Sequence, residues 1–252
     1  MLSLSISSVG IVLELLLIFR GYQQKLLRRY PLFYSYISFV LISDVAMVFV
    51  RVPPQTYLYM YWVVEFLGLV AGCLIVFEFY RVALGSYPGT ARMARALLAV
   101  LFLLAMIKTV VSTLNVPRWW FEAKPAQVEG VLRACELLAI LSLVAVLLFY
   151  SIPIGKNLRG ILLGYSVFVS WGVLCLALVA AGVAKFDSIW SYSYPFSYFI
   201  GLVIWAVHLW SYQPNPVPDR AIPLEQEYQR VAAATQRRLH DARGYLAKAV
   251  GS

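Results

Sequence analysis

Charge is scarce in this sequence. Only 13% of its 252 residues are Asp, Glu, Lys or Arg, while 62% are hydrophobic; soluble domains carry about 25% and about 45–50%. A water-soluble fold of this size has too little interior to hide such a fraction, because apolar atoms already supply much of any folded surface. Lipid removes that limit. Cysteine is equally sparse: Cys73, Cys135 and Cys175 all lie in apolar stretches, with no Cys-x-x-Cys or Cys/His spacing. That excludes a disulfide framework and a zinc motif, and leaves three small packing residues. There is no Gly-x-Ser-x-Gly turn, no phosphate-binding glycine loop and no nucleophile–base pair. The sequence therefore implies neither an enzyme nor a cofactor, and no metal site.

What is present is a series of apolar runs. A membrane span needs about 20 mainly apolar residues, and seven candidates are legible: Leu4–Phe19, Leu32–Val50, Tyr57–Tyr80, Ala96–Leu114, Val128–Phe149, Ile161–Ala184 and Tyr194–Tyr212. The first carries Glu14, follows no basic residue and precedes no small-residue cleavage site, so a removable signal peptide is not expected. The last contains no lysine, which excludes a retinal Schiff base there. The fold class expected is an all-α, seven-transmembrane helix bundle over residues 1–212. A proline-rich linker follows over 213–223, then a cytoplasmic amphipathic helix over 224–252.

Lys and Arg set the orientation. One side receives Arg20, Lys25, Arg28, Arg29, Arg81, Arg92, Arg95, Lys156 and Arg159, and the tail adds Arg220, Arg230, Arg237, Arg238, Arg243 and Lys248. The other side has Arg51, Arg118, Lys124 and Lys185. This bias puts the N-terminus outside and the C-terminus in the cytoplasm. The net charge of +9 is thus topological and does not point to nucleic acid. Aromatic belts agree, with Tyr57, Tyr59, Tyr61, Trp62, Trp119, Trp120 and Trp190 at the outer face and Tyr30, Tyr34, Tyr80, Trp210 and Tyr212 at the inner. Gly68-x-x-x-Gly72 and Gly160-x-x-x-Gly164 are expected to let helices approach closely within the bundle.

In the tail, Leu224, Tyr228, Val231, Leu239, Ala242 and Leu246 fall near one helical face, opposite Arg230, Arg237, Arg238, Arg243 and Lys248. Such a helix suits an anionic bilayer surface, a second copy of itself, or a cytoplasmic protein partner. Arg238-Leu239-His240-Asp241-Ala242-Arg243 is similar to the phosphoacceptor box of sensor histidine kinases over those six residues only. His240 reads as a solvated helical side chain.

Ionisable groups at membrane depth are costly and mark function by default. At about 1.5 Å of rise per residue, Asp44, Glu65, Lys108 and Glu136 fall in one layer slightly outside the midplane. Arg133 stands one turn above Glu136. These five residues are the expected ligand-binding set, a polar pocket for a small ligand or ion. The alternative is a closed salt-bridge cluster, such as Lys108 with Glu136, that only fixes helix register. Glu14 and His208 lie at similar depth and form a candidate proton or hydrogen-bond pair, while Glu78 and Arg81 are spaced for an i, i+3 ion pair. The expected role is a receptor-like or sensory protein of a cell membrane that signals through its tail, and the compact loops fit a bacterial inner membrane. A small 3+1+3 transporter and a structural subunit of a membrane complex are the alternatives. Prolines are expected only in loops and at helix ends.

Overall fold

A computed structural model of the chain describes residues 2–49, 54–114, 124–149, 151–180, 186–216, 226 and 228–238. Among them there is helix and no strand. The elements are α1 (Leu2–Gln23), the single turn α2 (Leu26–Arg29), α3 (Pro31–Phe49), α4 (Pro54–Ala83), α5 (Pro88–Leu114), α6 (Lys124–Phe149), α7 (Lys156–Ala180) and α8 (Phe186–His208). Residues 228–238 of the tail are also helical. Among the described residues, four segments are long and apolar enough to cross a membrane: Val63–Ala83, Gly89–Lys108, Glu129–Phe149 and Lys156–Leu178, with mean hydropathy from 1.9 to 2.4. Pro31–Ala46 is a shorter apolar helix. The described residues are all-helical in their regular structure, consistent with a helical membrane protein.

Local chemistry explains the boundaries. α2 starts after Lys25, held in the left-handed region at φ 57, and ends where Pro31 opens α3 with the φ a first helical turn requires. The exposed amides of that turn are met from another helix. Glu78 of α4, almost fully buried, accepts from the Leu32 N–H at 3.2 Å and the Phe33 N–H at 2.8 Å. The expected Arg81–Glu78 ion pair is present at 2.9 Å. Glu78 therefore caps α3 as well as pairing with its neighbour, a charged acceptor where the helix dipole favours one.

Helix order in space decides what faces what. α1 packs between α3 and α8, α3 on α4, α4 on α6, α6 on α7, and α7 along α8, so six long helices close a ring. α5 lies outside that ring, against α4 and α6. Its span is 22% buried where those of α4, α6 and α7 are 39–50%. The outward surfaces are apolar, with Val12, Phe19, Leu97, Leu103, Leu148 and Phe149 all exposed; a patch of that extent needs a cover, and lipid supplies one.

The closest approach is α7 on α8. A Cβ on Gly160 would collide with the His208 side chain, and one on Gly164 with the Trp205 indole. The freed space lets Trp205 bury completely and donate Nε1–H to the Ile161 carbonyl at 3.1 Å. Asn157, at the start of α7, then fastens the far end of α8. Its Nδ2 donates to the carbonyls of His208 (2.9 Å) and Ser211 (2.8 Å), and its Oδ1 accepts from the Gln213 N–H at 2.6 Å. Asn215 in turn accepts from the Gly155 N–H at 3.1 Å. The first residues of the proline-rich linker are thus bound to the bundle.

One expectation changes. α8 begins at Phe186, eight residues before the expected Tyr194, so Pro195 stands inside a helix. The cause is that a proline in an apolar run frees one carbonyl but leaves the remaining ladder intact. In the tail, Tyr228, Val231, Arg230, Arg237 and Arg238 belong to the described helix, and Val231 is exposed. Leu224, Leu239, His240, Ala242, Arg243, Leu246 and Lys248 lie outside the described residues.

Candidate functional site

α6 supplies the core of the site. Glu129, Arg133 and Glu136 recur at intervals of four and three, which puts them on one helical face, and all three are buried. Arg133 Nε donates to Glu129 Oε1 at 2.7 Å, and its Nη2 donates to Glu65 Oε1 of α4 at 2.9 Å. Nη2 also bonds the Tyr194 hydroxyl of α8. The guanidinium lies 5.1 Å from the Phe168 ring centre and 5.2 Å from that of Tyr194, within cation–π range. One arginine so ties α4, α6, α7 and α8 together, and a buried cation needs that many partners.

Beside it lies a cavity of about 370 Å3 within the ring. Asp44 and Ser43 of α3, Glu65 and Gly68 of α4, and Arg133 of α6 contribute polar or open wall. Tyr36, Phe39, Tyr165, Phe168, Tyr194 and Tyr198 contribute aromatic wall, and Pro195 completes the α8 side. Two of the tyrosines are backed by buried carboxyls. Tyr165 donates to Glu136 Oε2 at 3.1 Å, while Cys73 approaches Oε1 at 3.7 Å. Tyr198 donates to Glu14 Oε1 at 2.9 Å. Gly72 makes room behind Tyr165, since a Cβ there would meet both its hydroxyl and Glu136.

Of the five residues singled out from sequence, Asp44, Glu65 and Arg133 line the cavity, and Glu136 sits one tyrosine behind it. Lys108 does not join them. It is exposed on α5, the helix outside the ring, so depth shared with Glu136 brings no contact. Nor do Glu14 and His208 pair. α1 continues to Gln23, which sets Glu14 at the level of Tyr198, whereas His208 closes α8 and its Nδ1 lies 2.9 Å from the Ile204 carbonyl of its own helix. Glu14 is fully buried and its Oε2 has no partner among the described residues.

Sequence reasoning missed Glu129 and the tyrosines. Glu129 stands next to the expected span edge, yet its i, i+4 relation to Arg133 is a recognisable pairing signal. The tyrosines carried no signal beyond their number, because belt and cavity tyrosines look alike in a sequence. Among the described residues no group of three His, Cys, Asp or Glu side chains is disposed to hold a metal ion. The arrangement offers instead an aromatic chamber with two carboxylates and one well-paired guanidinium. No protein-family model, curated protein or solved structure matches the chain.

Proposed function

We propose that this chain is a multi-pass protein of a cell membrane with seven spans, its N-terminus outside and its tail in the cytoplasm, acting as a receptor-like sensory module. A small ligand or ion enters the cavity, and the tail carries the change to a cytoplasmic partner, to a second copy or to the bilayer surface. The observation that carries this reading is the cavity itself. Its volume suits a small-molecule site, its walls come from five helices, and its charged groups converge on it rather than pairing off elsewhere. The linker supports the second half. Through Asn157 and Asn215 its first residues are bound to α7, a helix that also supplies Tyr165 and Phe168 to the cavity wall.

The test is hydrogen exchange on protein in nanodiscs, with and without compounds that raise its melting temperature. A sensory module changes protection in residues 209–238 on binding, and the cavity-filling Gly68→Leu abolishes that change. Binding that leaves those residues unaffected refutes the reading. A 3+1+3 carrier is the second reading, favoured by the position of α5 outside the ring, with three long helices before it and three after. Counterflow of a bound compound in proteoliposomes selects the carrier, and its absence selects the receptor.

A further inference from the structure

Resting on that cavity as a ligand site, we infer that its ligand is a small organic ammonium ion, with Asp44 as its counter-charge. The first argument is charge. Among the described residues Arg133 is the one cation on the cavity wall, and it is already matched by Glu65 and Glu129. Asp44 has no ion-pair or hydrogen-bond partner among the described residues, and another acid, Glu14, lies within electrostatic reach of it. A lone carboxylate at membrane depth is costly until a cation meets it.

The second argument is hydrogen-bond polarity. Tyr165 and Tyr198 give their hydroxyl protons to Glu136 and Glu14, so their oxygens have only acceptor capacity left for anything in the cavity. Asp44 and the second oxygen of Glu65 are acceptors too. At these groups donors are what the ligand must bring, and a protonated amine brings three. The third argument is the aromatic wall. Phe39, Phe168 and the tyrosine rings attract a cation through their faces and cover an apolar body at the same time. At about 30 Å3 per water, the volume equals about a dozen waters, enough for an amine bearing one ring.

The experiment uses full-length protein in nanodiscs and three probes with the same ring and different charge: phenethylammonium, 2-phenylethanol and phenylacetate. Affinity is measured by calorimetry, and melting temperature in parallel. Phenethylammonium is expected to bind at least about tenfold more tightly than the other two. Asp44→Asn should weaken its binding about 10- to 100-fold, the range of a charged hydrogen-bonded pair, and leave 2-phenylethanol unchanged. Asp44→Glu should retain most of the affinity. Unliganded D44N should melt at or above the wild-type temperature, because Asp44 has no partner to lose. Equal binding of all three, or a preference for phenylacetate through Arg133, overturns the inference while leaving the cavity a ligand site. The same stabilisation by sodium chloride alone overturns it in favour of an inorganic cation. No binding by any probe overturns it as well, and the exchange experiment above then decides separately whether the cavity has a ligand of another class.

Discussion

Replacing Arg133 with methionine tests whether the charged cluster holds the bundle together. Methionine keeps most of the aliphatic volume against Gly172 and Phe168 but removes the charge, leaving Glu65 and Glu129 without a cation. Stranding a buried charge by deleting its partner costs about 3–5 kcal/mol. Glu65 keeps 21% of its side-chain surface exposed and Glu129 only 8%, so water in the cavity relieves part of the cost at Glu65. The expected loss is therefore at the lower end, about 3–4 kcal/mol. At about 2–4 °C per kcal/mol for a chain of this size, the melting temperature falls by about 6–16 °C. Tryptophan fluorescence during heating in nanodiscs, checked by the fraction that remains monodisperse, reads the shift. Adding Glu65→Gln and Glu129→Gln to the same chain should recover about half of the loss, because the stranded charges are then gone. A lone R133M variant within about 1 kcal/mol of wild type, against the cost expected of a stranded buried charge, would falsify the reasoning.

Other changes separate structural from site roles. Asn157→Leu removes three hydrogen bonds at about 1 kcal/mol each; amide exchange should quicken at Ser211 and Gln213 before it does elsewhere in α8. Gly164→Leu forces the Trp205 indole out of its seat, and overpacking of that kind costs about 1–3 kcal/mol, visible as a lower melting temperature. Tyr198→Phe takes away the one partner that Glu14 has among the described residues, at a cost of about 1–3 kcal/mol, and restoring neutrality with Glu14→Gln should return part of it. Lys108→Leu should not lower stability and should leave cavity binding unchanged, since that side chain is exposed on the helix outside the ring; a weakened cavity ligand in K108L would contradict the helix order.

Hydropathy made the helices legible, because burying apolar runs in lipid leaves a mark in every stretch of about 20 residues. A fixed rise per residue puts Asp44, Glu65 and Glu136 at one expected level, and the structure sets all three in or beside one cavity. Azimuth was not legible. Whether a side chain points at the ring or away from it depends on which helices are neighbours, and nothing in the α5 sequence says that this helix lies outside. Lys108 was misjudged for that reason. Glu14 and His208 stand apart through helix length, because neither the extension of α1 to Gln23 nor the end of α8 at His208 leaves a hydropathy signal. Glu78 shows a third limit. Its link to Arg81 is local and readable, whereas its bonds to Leu32 and Phe33 cross between helices.

The fastening at Asn157 has a mechanical consequence. With Trp205 seated in the glycine notch of α7 and Asn157 gripping the end of α8, these two helices cannot slide past each other without breaking several bonds together. They move as one rigid body, and residues 213–215 belong to it. Any movement of this pair against the rest of the bundle must then run along its seams with α6 and α1, and along the smaller contact of α7 with α4. The Arg133–Tyr194 bond spans the space between those seams and Glu14–Tyr198 crosses the second, so the polar contacts at the cavity are the joints that such a movement would have to open.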